Sequence, residues 1–269
     1  MLFSFCNEGF GDRPWREVCA VLAEAGYDGV EIAPYTFARD VCDISPSARA
    51  EIRKVAEDAG LRIVGLHWLL ASPEGLHIAH PDEAVRARTA DYLRALADFC
   101  ADLNGKVMVF GSPNQRGGSA GATPEQAWRW AVETFRSVLP TLAEREVTIC
   151  FEPLTTEETH FVNTAAEARK LIGEVAHPKF RLLLDVKAMC RESVPVPDLI
   201  RANRDLLAHV HANDANRQAP GFGNVDFRPI LAALGEINYQ GYVSLEPFEF
   251  PLDVGAIANR SLAYLKSLL

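Results

Sequence analysis

Short apolar runs recur along this chain, each followed by a longer stretch with helical spacing. The runs at 2–6, 29–33, 62–66, 107–110, 147–151, 180–184, 206–210 and 242–245 are mostly Val, Ile, Leu and Phe. That is the composition of parallel strands covered on both faces. Amphipathic patterns at 15–25, 46–59, 82–103, 124–143, 165–175, 197–203, 228–234 and 254–267 alternate with them. Ser45-Pro46 and Thr123-Pro124 each set a capping side chain before a proline at the first helical position. Gly26 and Gly60 follow helices, where a left-handed cap sits. Eight strand–helix pairs use the whole chain and leave no linker. The count predicts an α/β protein, a single (β/α)8 TIM barrel over residues 1–269. The competing arrangement is an open doubly wound sheet. Its phosphate loop after the first strand is missing: 6–14 holds Gly9 and Gly11 but no GxGxxG.

Composition adds boundaries. With 269 residues, 48% hydrophobic and 23% charged, the chain has material for one closed barrel core. No apolar stretch approaches the roughly 18 residues of a spanning helix. Segment 1–10 lacks a basic n-region and a small-residue cleavage site, and is expected to be a first strand rather than a leader. The six cysteines form no CxxC pair and fit reduced thiols in a cytoplasmic protein. A formal net charge of −9 argues against nucleic acid, whose phosphates call for a basic footprint.

The chemistry is concentrated in Glu152, Asp185, His211 and Glu246. Each ends an apolar strand run, at intervals of 33, 26 and 35 residues, about one strand–helix unit apiece. Ends of successive parallel strands converge on one face of a barrel. In CFEPL, LLLDVKAM and VSLEPF an acid abruptly closes an apolar run. A lone carboxylate there would be partly desolvated, and a cation offsets that cost. Three carboxylates and one imidazole suit a single divalent cation, Mn²⁺ first, then Mg²⁺ or Co²⁺.

These motifs resemble the sugar isomerase/epimerase superfamily of xylose isomerase-like barrels, which also contains apurinic-site endonucleases. The resemblance spans essentially the whole chain. It implies a metal-dependent isomerase or epimerase that abstracts a proton next to a carbonyl through an enediolate. It gives Glu152 and Glu246 the roles of acid and base on opposite faces of the sugar carbon. By the same resemblance Glu158, six residues after Glu152, and Arg217, six after His211, contact substrate. One position departs. The ketose 3-epimerases carry a substrate-binding histidine three residues after the strand-six aspartate, where this chain has Ala188. The endonucleases need a histidine there too, and an Asp-x-His after strand seven. The loop here reads Gly221-Phe222-Gly223-Asn224, so a nuclease is not expected.

Further candidates sit after strands three and four. His67-Trp68 offers an imidazole, the next candidate catalytic group, beside an indole for sugar C–H faces. Gln115 and Arg116, in the string 111–116, are placed to reach a substrate. His67-Trp68 and that string also resemble catalytic subunits of C-glycoside-deglycosylating enzymes, lyases that expel an aglycone from a 3-oxo sugar with a small second subunit. The alternatives to an epimerase are therefore such a lyase or a non-catalytic sugar-binding barrel. The expected partners are a small sugar substrate and a second copy or small subunit, without nucleic acid or membrane. Glu31 ends strand two, where it can face the pocket, with a structural acid as the favoured reading. His209 is expected to face the helices as a hydrogen-bonded core residue.

Overall fold

A computed structural model describes residues 1–118 and 121–269. Ser119 and Ala120, inside the predicted strand-four loop 111–123, lie outside the described residues. Eight parallel strands close into one barrel in sequence order: β1 (Leu2–Cys6), β2 (Gly29–Ile32), β3 (Arg62–Leu66), β4 (Val107–Phe110), β5 (Thr148–Phe151), β6 (Phe180–Asp185), β7 (Leu207–Ala212) and β8 (Tyr242–Leu245). Pairing of β1 with β8, Ser4 opposite Ser244, closes it. The outer helices are α1 (Trp15–Ala25), α2 (Pro46–Asp58), α3 (Glu83–Asp102), α4 (Pro124–Glu144), α5 (Ala165–Val175), α7 (Val196–Ala202), α8 (Phe227–Glu236) and α9 (Val254–Lys266). A one-turn helix, α6 (Val186–Met189), follows β6 directly and was not anticipated. The (β/α)8 prediction holds, and element ends move by no more than two residues.

The capping signals act as expected. Ser45 Oγ accepts from the Ala48 amide, and Thr123 and Gln126 form a reciprocal capping box. Gly26 takes a φ of 88° at the end of α1, a conformation that costs glycine little. No described helix is long and apolar enough to cross a membrane.

Alternation along each strand builds two cores. Outward residues pack under the helices, as in the cluster of Phe110, Phe135, Phe151 and Phe180, whose rings approach to 4.6–6.0 Å. The barrel interior holds a small apolar plug of Val109, Cys150 and Leu183. Above it the interior is polar, with Glu31, His209 and His211 all fully or nearly fully buried. Two register shifts set this region: one in the β2–β3 pairing at Glu31, one in the β6–β7 pairing just before His209. Such shifts re-aim side chains next to sites.

Candidate metal centre and active site

Strand register decides which side chains meet. Asp185 is the last residue of β6 and His211 the next to last of β7, and the two stand opposite each other. Glu152 and Glu246 come immediately after β5 and β8. One ligand atom from each of the four lies within 4.8 Å of all the others, and all four residues are buried. Hydrogen bonds fix Asp185, His211 and Glu246. Asp185 Oδ1 accepts from the Ala188 amide at 2.7 Å, and Oδ2 from Asn213 Nδ2 at 2.6 Å. Asn213 also accepts from the Lys187 amide at 2.9 Å and donates to the Glu246 carbonyl at 3.2 Å. His211 Nδ1 lies 2.9 Å from Glu246 Oε2. Gly111 leaves the room that Glu152 uses: a Cβ there would stand 2.5 Å from Glu152 Oε2.

The electrostatics are those of crowded acids. Burial, then Glu246 and Asp185, push the Glu152 carboxyl well above the usual carboxylate range. Burial also raises Glu246, against the pull of His211. A divalent cation would relieve this repulsion, and a set of carboxylates with one imidazole is chemically matched to one. The residues present therefore fit a hard cation, with Glu152, Asp185, His211 and Glu246 as its holders.

Beneath the quartet lies a second layer that sequence reasoning dismissed. Glu31 Oε1 is 3.0 Å from His211 Nε2, and Oε2 is 2.7 Å from His209 Nε2. Burial opposes charge on Glu31, yet the two histidines hold its carboxyl well below the ordinary range. Burial keeps His209 low despite Glu31. The expectation that His209 faces the helices is corrected. Residues two apart on a strand share a face, so His209 and His211 both point inward. A carboxylate on the far nitrogen of a ligand histidine fixes its tautomer and ring orientation.

His67, fully buried after β3, places Nε2 2.6 Å from Glu8 Oε2. Burial disfavours its charge, but Glu8 outweighs that and raises it above the ordinary value. Glu8, from the loop after β1, gave no motif in the sequence. Ligand-type atoms of Glu8, His67 and Glu246 also fall within 4.8 Å of one another, so His67 borders the quartet.

A crevice opens above these groups, lined by His67, Trp68, Glu152, Glu158, Lys187 and Glu246. Trp68 is held at a φ of 51°, and its buried Nε1 has no partner among the described residues. Glu158 bonds Lys187 Nζ at 2.6 Å and Thr155 Oγ1 at 2.9 Å. Arg217 lies farther out, half exposed, with its guanidinium carbon 4.9 Å from the Phe248 ring centroid. Gln115 is not among the crevice-lining residues; its backbone pins the loop through Ser112 and Ile78. Arg116 is turned away from ligands. All five of its N–H groups go to carbonyls: Nε to Phe161, one terminal nitrogen to Gly111 and Glu152, the other to Phe161 and Val162. Its place is under the site, tying the β4, β5 and 153–163 segments together. Lys187 was the missed residue on this wall. The signal available was a lysine two residues after a candidate ligand.

The xylose isomerase-like TIM barrel family matches residues 19–268. The chain belongs to that family. A D-psicose 3-epimerase of Enterocloster bolteae is 35% identical over 251 residues, covering 90% of this chain and 79% of the relative. A 3-dehydro-D-guloside 4-epimerase of Escherichia coli K12 is 36% identical over 131 residues, 48% of this chain and 50% of the relative. Among solved structures, a D-psicose 3-epimerase with D-tagatose from Clostridium cellulolyticum H10 superposes with a TM-score of 0.87 at 21% identity. It covers 100% of this chain and 99% of that one, and at that identity it supports the fold.

Proposed function

We propose that this xylose isomerase-like barrel is a divalent-metal-dependent epimerase of keto-sugars. One observation carries the reading: Glu152 and Glu246 are two buried carboxylates brought into one cluster with Asp185 and His211. Two carboxylates held at one site suit the paired removal and return of a proton. One takes the proton from the carbon beside the carbonyl, and the other returns a proton to the opposite face. Glu152, Asp185, His211 and Glu246 would hold a divalent cation, Mn²⁺ in preference to Mg²⁺ or Co²⁺, which would supply positive charge beside the carbonyl where negative charge develops. His67, oriented by Glu8, is the third proton-carrying group on this face. Glu158 and Trp68 contact the sugar, and Arg217 borders the entrance. The six free thiols suit a reducing compartment such as the cytoplasm.

The curated relatives act, by name, on free ketoses and on a 3-dehydro-glycoside. Ala188, in place of the histidine expected in free-ketose epimerases, favours the oxidised glycoside. The test is incubation of Mn²⁺-loaded protein in D₂O with D-psicose and with methyl 3-keto-α-D-glucopyranoside. The expected result is one solvent deuteron at an inverted carbon, abolished by chelation and restored by Mn²⁺. Aglycone release without inversion would make the chain a lyase. Absence of exchange on either sugar would leave a binding protein.

A further inference from the structure

Lys187 belongs to no part of the proton-transfer scheme, yet its placement is specific. Only 4% of its side chain is exposed, it lines the crevice, and its ammonium lies 4.6 Å from the centroid of the Phe248 ring. It sits on α6 beside Ala188, where the imidazole of the ketose-epimerase pattern is missing. An ammonium is a donor without acceptor capacity, whereas a neutral imidazole is both. Among the described residues its side-chain hydrogen-bond partner is Glu158 Oε1 at 2.6 Å. Glu158 Oε2 already accepts from the Thr155 amide at 3.1 Å and Thr155 Oγ1 at 2.9 Å. Three of its roughly four lone-pair sites are therefore taken. The Trp68 indole N–H, on the same crevice, is buried without a partner among the described residues. The crevice also carries the Glu152 and Glu246 carboxylates, but in the proposed scheme these hold the cation, so the acceptor capacity left beside the two donors is chiefly the last lone-pair site of Glu158. A sugar hydroxyl bound here would accept a bond but find little to receive its own proton; a carbonyl or acetal oxygen has no proton to place. Among the described residues the cation on the crevice and the two arginines outside it each have an acidic partner. Lys187 is matched by Glu158, Arg191 by Glu157 at 3.6 Å, and Arg217 by Glu249 at 3.7 Å.

We infer that Lys187, together with the Trp68 N–H, is the specificity element of the crevice, selecting an uncharged keto-sugar glycoside that presents carbonyl and acetal oxygens to these two donors. This rests on the keto-sugar epimerase reading and names its substrate class. The test is calorimetric binding to the Mn²⁺-loaded full chain, read without turnover, with methyl 3-keto-α-D-glucopyranoside, methyl α-D-glucopyranoside and D-fructose 6-phosphate. The wild type should prefer the keto-glycoside over its alcohol by at least about tenfold. Lys187→Met should weaken keto-glycoside binding by about 10- to 100-fold, the range for a hydrogen bond to a charged group, and erase the preference. Trp68→Phe, which keeps the ring surface, should weaken it by about 2- to 10-fold, the range for a neutral hydrogen bond. Lys187→His, which keeps a donor, should recover part of the loss. If Lys187→Met does not fold, the wild-type ranking and Trp68→Phe decide. Unchanged keto-glycoside binding in Lys187→Met, or tightest wild-type binding of the phosphate, would overturn the inference. Keto-glycoside binding with the predicted ranking but no deuterium exchange would remove the epimerase reading alone.

Discussion

Replacing Glu31 by Gln asks whether the layer under the quartet matters to metal binding. Glu31 offers an oxygen to each of two imidazole nitrogens, 3.0 Å to His211 Nε2 and 2.7 Å to His209 Nε2. For His211 to turn the lone pair of Nδ1 toward the quartet, its proton must sit on Nε2, where Glu31 accepts it. A glutamine keeps the shape but has one acceptor oxygen and one donor NH₂. One histidine then faces a donor with its own N–H. Leaving a buried donor unsatisfied costs about 1–3 kcal/mol. If His211 bears that cost, its alternative is the wrong tautomer, with the proton facing the cation. The same range emerges from altered outer partners of metal ligands, about 10- to 100-fold in affinity. We therefore expect Glu31→Gln to remain folded and to bind Mn²⁺ about 10- to 100-fold more weakly. Titration calorimetry or the free-Mn²⁺ electron paramagnetic resonance signal would measure it, with circular dichroism and a thermal melt as fold controls. A folded variant binding Mn²⁺ within twofold of wild type would show that Glu31 does not hold His211.

Three other outcomes are expected. Glu152→Gln and Glu246→Gln each keep an oxygen ligand but lose the proton acceptor, so at least one should retain metal while turnover falls by about 10²-fold or more; near-normal turnover in both would move proton transfer to His67. Arg116→Met should lower stability by about 3 kcal/mol in urea unfolding, because four buried carbonyls lose their guanidinium donor; a change below about 1 kcal/mol would refute its tying role. For Glu158, burial opposes ionisation, but Lys187 and Thr155 together lower its carboxyl below its ordinary value of 4.5. Its ionised form thus stabilises the fold above that value, and the contribution disappears as pH falls through the lowered folded value. The stability gap between wild type and Glu158→Gln should be present at pH 7 and shrink below about pH 4; a gap that is constant with pH would contradict the ion-pair account.

What the chain determined alone is the barrel and the outline of its centre. Buried parallel strands must be apolar nearly throughout, so an acid at the end of such a run stands out. Glu152, Asp185, His211 and Glu246 were legible for that reason, at intervals that match one strand–helix unit. Helix starts at Ser45 and Thr123 were legible because capping is local chemistry. The residues around the quartet were not. Glu31 meets His211 across 180 positions, a contact made only when the sheet closes and the register shifts aim both side chains inward. His209 was misplaced although strand period alone puts it on the face of His211. Arg116 sits in a polar loop string that suggests a ligand contact, yet its guanidinium is buried against the chain's own carbonyls. Glu8 and Lys187 sit in single helical turns, Asn7–Phe10 and α6, too short to carry a periodicity that would aim them. Their partners, His67 and Glu158, lie 59 and 29 residues away. Local pattern fixes elements and their ends; which polar groups share a buried space depends on closure of the barrel, and only the tertiary structure decides it.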